Sequence, residues 1–552
     1  MKLFSVQSLF QRRYPLAVLA GLLLAASFPK IGIAGLAWVA PALMLLAASG
    51  KRGGDCFRLG YVAGLAHYLA SLYWLLLIPV AWFPILGWLA LSAYLALYPA
   101  TWVWLVTAIA RNSRLEVTNP AAALSPMFQA TAETLPWNWG QRMLWAFSGA
   151  VIWVALEMIA ARLFSGFPWN LLGASQFQLL PLIQIASVTG IYGVSFLVVW
   201  TSLSLLSAAR VILARPTLRS AWVAEIIPPL AVLVVIFGFG FKKIGQAPVS
   251  DRELNVALVQ PSIPQTLIWD PKENTNRFRQ VIALTERALA GKPDLLIWPE
   301  AAVPNLLRYD QAAFQSVTGL ARSNRVWMIV GADDAEPRLG TPDPDDADYF
   351  NSSFLVNPEG ELVTTYRKCN LVIFGEYVPL TRWLPFVKYL TPITGGFTPG
   401  GKPVPFELGD RRVKTASLIC FEDVFPQLVR EYVDADTDFL VNLTNDGWFG
   451  ESAEQWQHAA SAIFRAVENG LPLVRCCNNG LTCWVDSCGR LQQVFRDQTG
   501  SVHGAGVMAA KIPVLAAGEV RPRTFYNRHG DWFGWSCVAI ALATILARWR
   551  RL

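Results

Sequence analysis

Three strand-like stretches finish in polar groups: Glu300 in DLLIWPEAAVP, Lys368 in TTYRKCNLVIFGEYVP and Cys420 in KTASLICFEDVFPQLV. A thiol that attacks a carbonyl carbon, a carboxylate that takes the thiol's proton and an ammonium that holds the oxyanion so formed are the parts of an acyl-transfer site. Sites in α/β folds collect just beyond strand ends, where three such groups can converge. Singly, each has a structural reading: Glu300 caps the helix after Pro299, Lys368 is solvated, and Cys420 is a small core hydrophobe, the commonest fate of a free cysteine.

The elements that must position them lie in a polar block over 245–530. Short β-rich runs at 254–260, 294–300, 326–333, 413–423, 438–446 and 472–479 alternate with helical stretches such as 272–290 and 453–469. Near-continuous apolar strands separated by amphipathic helices predict an α/β domain whose sheets are covered by helices. One motif misleads: GFTPGGKP, Gly396 to Pro403, has the glycine and lysine spacing of a phosphate loop, but Pro403 stands where Ser or Thr would ligate Mg²⁺.

The rest of the chain has another character. Of 552 residues, 54% are hydrophobic and only 15% charged, against roughly a quarter charged in soluble domains. Apolar runs at 60–80, 83–110, 186–209 and 532–547 approach or exceed the ~20 residues that cross a bilayer. Four weaker runs, 16–28, 31–49, 145–163 with Glu157, and 221–241 with Glu225, Pro228 and Pro229, bring the expected spans to eight. The resulting organisation is a membrane domain of about seven helices over 1–244, the α/β domain over 245–530, and a last transmembrane helix and tail over 531–552. The first apolar run reads as a retained helix rather than a cleaved signal. The loop at 115–144 has three prolines and no assigned role.

Basic residues cluster at Arg12 and Arg13, Lys51 and Arg52, Arg111 and Arg114, Arg210 and Arg215, and Arg548 to Arg551. With eight spans these all fall on one side, so both termini are expected in the cytoplasm and the α/β domain outside it. The net charge of +7 is then mostly orienting charge, and no nucleic-acid partner is invoked. Eight cysteines include no C-x-x-C and no His at metal spacing, so no metal or other cofactor is expected. The pairing of Cys476, Cys477, Cys483 and Cys488 stays open.

Taken together, the ordered Glu, Lys and Cys resemble the catalytic set of the carbon-nitrogen hydrolase (nitrilase) superfamily. Spans before the domain, one after it, and the motifs VALVQPSIPQTLIWD, IWPEAAVP, YRKCNLVIFGEYVP, SLICFED and NLTNDGWFG resemble its membrane-bound branch, the bacterial apolipoprotein N-acyltransferase family. The resemblance implies an αββα sandwich in the bacterial periplasm, anchored in the cell inner membrane. It implies Glu300 as general base, Lys368 as oxyanion stabiliser and Cys420 as acylated nucleophile, supported by Glu376 of FGEYVP and by Glu422. Trp269 of IPQTLIWD and Trp169 of SGFPWN match substrate-contacting tryptophans, with aromatic packing as the alternative. Cys369 and Ile373 depart from the family's usual residues, at positions without an assigned role.

The implied reaction moves a fatty acyl chain from a membrane phospholipid to the N-terminal α-amino group of an S-diacylglyceryl-cysteine lipoprotein, by a monomer. Two rivals remain. A membrane-tethered amidase or nitrile hydrolase would use the same three residues but needs only one span, and a non-catalytic scaffold would have no reason to keep all three.

Overall fold

The computed structural model describes residues 13–111, 138–214, 219–246, 252–268, 270–338, 347–378 and 396–549. Trp269, most of the 115–144 loop and the basic residues of both chain ends beyond these limits lie outside the described residues. The chain divides into two units: one of Met1–Leu76, Ile85–Gly245 and Asp531–Leu552, the other of Leu77–Pro84 and Gln246–Gly530.

Among the described residues, four helices are long and apolar enough to cross a membrane: Phe83–Ala110, which from Ile85 on lies in the first unit, and Trp139–Ala160, Ile191–Leu213 and Trp222–Gly245 of that unit. Arg13–Ala26, Leu180–Thr189 and Trp532–Ala547 are shorter apolar helices. The run at 31–49 is not one helix but a 3₁₀ turn, Ala34–Trp38, followed by Ala40–Ala47, which restarts at Pro41. That break has a local cause, since proline lacks the N–H that a continuous helix needs and suits a first turn. The run at 60–80 likewise becomes the helix Gly54–Ser71 and a 3₁₀ turn, Tyr73–Leu77.

The acids that interrupt two apolar runs are partnered. Glu225, 1% exposed, pairs with buried Arg142, and Glu157 accepts Trp153 Nε1 at 2.9 Å and Leu172 N at 2.8 Å. A charge in hydrocarbon is costly unless it finds such partners. Packing is set by small residues: a Cβ on Gly60 would meet Ala100 Cα at 2.8 Å, and one on Gly64 would meet Ala96 Cα at 3.0 Å. This Gly-x-x-x-Gly face lets two helix backbones approach closely, the usual source of helix association where lipid removes the hydrophobic drive.

Among the described residues the second unit has twelve strands: β1 Glu253–Gln260, β2 Leu295–Ile297, β3 Trp327–Pro337, β4 Ala347–Val356, β5 Leu362–Arg367, β6 Pro405–Leu408, β7 Val413–Ile419, β8 Phe439–Thr444, β9 Leu473–Cys477, β10 Cys483–Val485, β11 Leu491–Val494 and β12 Gly506–Pro513. They form two six-stranded sheets, β12-β1-β2-β3-β4-β5 and β11-β10-β9-β8-β7-β6. Each has a parallel centre, β1-β2-β3 and β7-β8-β9, with antiparallel strands outside it. Sheet meets sheet through Ser353 Oγ on β4, 2.8 Å from Ser417 Oγ on β7, and through Cys476 Sγ on β9, 3.4 Å from Ile297 O.

Helices Asn274–Leu289 and Gln311–Asn324 cover the first sheet, joining Val281, Leu284 and Val317 to Leu296, Met328 and Val330 in one core. Each such side chain contributes about 1.5–3 kcal/mol when fully buried. Helix Glu454–Asn469 belongs to the second sheet and is buried at every position but Trp456. The result is the helix-sheet-sheet-helix sandwich expected. All eight cysteines are free thiols, which answers the open pairing of Cys476, Cys477, Cys483 and Cys488.

Candidate active site

Glu300 follows β2 by three residues, while Lys368 and Cys420 stand directly after β5 and β7. The Glu300 turn presses on β3, where a Cβ at Gly331 would lie 2.1 Å from Pro299 O and 2.8 Å from Glu300 Cα. Only glycine allows that approach. Ala302 N donates to Gly331 O at 2.9 Å, fixing the carboxylate's height above the sheet.

Lys368, 1% exposed, donates to Glu376 Oε1 at 2.8 Å and lies 3.8 Å from Glu300 Oε1. Asn351 on β4 ties the two acids together: its Nδ2 donates to Glu300 Oε1 at 2.7 Å and to Glu376 Oε1 at 3.0 Å. Val372 N holds the other oxygen of Glu376 at 2.8 Å. Burial works against the Lys368 ammonium, but Glu376, Cys420 and Glu300 together outweigh it and raise its pKa, so it stays charged. Glu300 is raised by burial and by Glu376, against the pull of Lys368.

Cys420 has φ 52°, a left-handed conformation that costs a non-glycine residue about 1–2 kcal/mol. It forms the sharp junction between β7 and the 3₁₀ turn Cys420–Val424, and strain of this kind concentrates at functional sites. Burial pushes its thiol well above the usual range, and Glu300, Asp446 and Glu376 add to the rise while Lys368 opposes it. The resting group is therefore a thiol, and a neighbouring base must take its proton before it can attack.

Glu422, fully buried, ties the cysteine turn to the lysine strand. It accepts Ile419 N at 2.8 Å from one and Cys369 N at 2.8 Å and Asn370 N at 3.0 Å from the other, with Tyr366 OH at 2.7 Å. Expected as the acid after the nucleophile, it bonds three backbone N–H groups and one tyrosine hydroxyl.

Sequence reasoning missed Asn351 and a buried charge cluster beneath the cysteine turn. His458 places Nε2 2.8 Å from Asp423 Oδ1 and Nδ1 3.0 Å from Asp446 Oδ1. Arg475 pairs with both acids, and Asn442 bonds Asp423 and Cys420 O. Burial disfavours the imidazolium, yet Asp423 and Asp446 outweigh it and lift His458 to about 10. The signal was present in PLVRCC, where an arginine inside an apolar strand has to find buried acids.

The five expected residues of the second unit, Glu300, Lys368, Glu376, Cys420 and Glu422, thus come together. Trp169 belongs to the first unit; it is 5% exposed and packs on Trp74 and Phe167 with ring centroids 5.1 and 6.2 Å away. Trp269 lies outside the described residues. The Gly396–Pro403 loop runs beside the site, with Phe397 N donating to Glu376 O at 2.9 Å, and leads into no helix of a phosphate loop.

Residues 255–518 match the carbon-nitrogen hydrolase family, and residues 20–204 match the apolipoprotein N-acyltransferase N-terminal domain. An apolipoprotein N-acyltransferase of Geobacter metallireducens is 37% identical over 98% of this chain and 96% of its own length. One of Brucella melitensis is 31% identical over 89% of this chain and 84% of its own. A solved amidase from Nesterenkonia sp. aligns with 49% of this chain and 94% of its own at 18% identity and a TM-score of 0.34, too distant to argue from. With its apolar helices, this is a membrane protein. Matched in both parts and along nearly its whole length, the chain belongs to the apolipoprotein N-acyltransferase family.

Proposed function

We propose that this protein transfers a fatty acyl chain from a membrane phospholipid to the N-terminal α-amino group of an S-diacylglyceryl-cysteine lipoprotein, through a thioester on Cys420. The observation that carries the reading is the cluster of a charged lysine, two acids and Asn351 beside a strained strand-end thiol, in a chain of this family.

Glu300 takes the Cys420 proton and Sγ attacks the ester carbonyl carbon. Lys368, held by Glu376, carries the oxyanion. The C–O bond breaks, and Glu300 returns the proton to the departing lysophospholipid alkoxide. In the second step the acceptor amine attacks the thioester, the C–S bond breaks, and the thiolate recovers a proton through Glu300. Asn351 and Glu422 position these groups.

A requirement for lipid-held substrates accounts for more helices than a tether needs, because exposing an acyl chain costs about 0.8 kcal/mol per CH₂. Trp269 and Trp169 are assigned to substrate contact, and the protein acts as a monomer. The chain is organised as 1–244, 245–530 and 531–552, in a bacterial inner membrane with both termini cytoplasmic and the α/β domain periplasmic. Fusion near residue 340 of a reporter active only outside the cytoplasm should give signal, and fusion near 130 should give none; the reverse pattern overturns the orientation.

Chemistry is tested by the product. Purified enzyme given phospholipid and a diacylglyceryl-cysteine peptide should form the amide. Rapid release of free fatty acid with no amide would favour a hydrolase.

A further inference from the structure

We propose that Asp333, which lines an open groove and faces the catalytic acids, is the docking carboxylate for the acceptor's α-ammonium group. The inference rests on the reading of Glu300, Lys368 and Cys420 as the reacting groups and adds a specificity-determining residue for the second step.

Asp333 on β3 is paired directly opposite Asn351 on β4, so the two side chains leave the sheet on one side as close neighbours. Tyr349, two residues before Asn351, shares that side. Asn351 itself touches both Glu300 and Glu376. Asp333 and Tyr349, with Asn305, Tyr309, Asp310 and Gln311, line an open groove of about 1050 Å³ in this unit.

The other acid of the groove is occupied: Asp310 accepts Ala313 N at 3.0 Å and Asn305 Nδ2 at 2.6 Å as the cap of helix Gln311–Asn324. The Asp333 carboxylate takes no hydrogen bond from any described residue; the charged groups that face it are Glu300, Glu376 and Arg277. Arg277 is itself bonded to Ile268 O and Asn274 Oδ1. A part-buried carboxylate beside two more acids, open to a polar groove, suits a cation.

The reaction requires a cation there. An N-terminal amine, with a pKa of about 7.7–8.0, arrives largely as ammonium, which cannot attack a carbonyl. Amide formation sheds two protons from R–NH₃⁺: one leaves before attack and the other as the C–N bond forms and the C–S bond breaks. Asp333 accepts the first and later loses it to water along the groove. Glu300 accepts the second and passes it to the Cys420 thiolate. Burial, then Glu300 and Glu376, lift Asp333 to about 7, a proton affinity close to that of the amine it would relieve.

The test separates the two half-reactions in the full-length, detergent-solubilised protein. With phospholipid alone, D333N should still acylate Cys420, with only a small change from losing a charge that faces Glu300, read by intact mass. Transfer to a diacylglyceryl-cysteine peptide should fall at least ~10-fold, the loss of a hydrogen bond to a charged group, with a raised KM for the peptide and recovery in D333E. Hydroxylamine, a neutral nucleophile, should discharge both thioesters equally fast. Peptide transfer at the unaltered rate, or equal losses in both half-reactions, overturns the proposal. If D333N does not fold, the unaltered enzyme decides: a peptide lacking the α-amino group should inhibit at least ~10-fold more weakly than expected from the acceptor's KM, and equal potency overturns the proposal. Failure of the unaltered enzyme to acylate Cys420 would instead sink the underlying assignment, before any acceptor is added.

Discussion

Cys420→Ala abolishes acyl transfer and leaves the amount of membrane-inserted protein near normal. The first outcome follows because Cys420 is the thiol that faces both Glu300 and Lys368, whereas Cys369, next to Lys368 in the chain, is set against Glu422, Tyr366 and Tyr432. Cys476, Cys477 and Cys483 are fully buried strand thiols; burial pushes Cys476 and Cys483 upward as it does Cys420, Arg475 opposing it at Cys483 and a bond to Val259 at Cys476. The second follows because alanine removes only one sulfur atom from a site held by Glu422 and Asn442 through backbone groups that the substitution keeps. Alanine still meets the strain of φ 52°, so little stability is gained or lost there. A purified C420A protein that still makes the amide would end the assignment, and its absence from the membrane would reveal a structural thiol instead.

Glu300→Gln and Lys368→Met each slow acylation of Cys420 by at least ~10²-fold, the low end for positioned acid-base and oxyanion groups. The glutamine keeps an oxygen for Asn351, whose Nδ2 lies 2.7 Å from Glu300 Oε1, but cannot take the thiol proton. The methionine fills the volume of the lysine stem yet leaves Glu376 without its partner at 2.8 Å and the oxyanion without a charge. Because Glu300 must be ionised to act and its pKa is raised, chiefly by burial, acylation in the unaltered enzyme should fall as pH drops through that raised value, while E300Q loses the dependence. Pre-steady-state mass measurement of the acyl-enzyme reads both; near-normal acylation in either variant removes that residue from the catalytic set.

The parts of this site that were legible in the sequence share a physical basis. Glu300 and Cys420 follow β2 and β7, central strands that, Lys414 apart, are buried on both faces, so they write themselves as apolar runs ended by a functional residue; Lys368, after the edge strand β5, is the exception and was legible through its motif. Strands outside the parallel centres do not read as apolar runs. In β4, ADYFNSSFLV, and β5, LVTTYR, polar residues recur, so that a functional polar residue does not stand out among them. Asn351 was hidden for that reason: its meaning comes from standing opposite Asp333 and between two acids that arrive from other strands.

The buried charges were illegible in a different way. Asp423, Asp446, His458 and Arg475 are all 1% exposed or less, and each alone reads as surface polarity. Their sense is collective, since a charge inside a protein is tolerated only when paired, and the pairing joins a turn after β7, the loop after β8, a helix and β9. Helix ends in the membrane unit were also misread, as at 31–49, because an apolar run reports an environment and not where the backbone turns.

The central claim is a covalent acyl-enzyme on one cysteine, and it is tested most directly by incubating the full-length protein with phospholipid in the absence of acceptor and measuring the mass of the peptide that contains Cys420. Covalent catalysis divides the transfer into two steps, and exclusion of water can preserve the product of the first. The account predicts a fatty acyl mass on Cys420 that hydroxylamine removes and that a diacylglyceryl-cysteine peptide discharges as an amide. An unmodified Cys420 together with undiminished amide formation, or an acyl group found on a different residue, would contradict it.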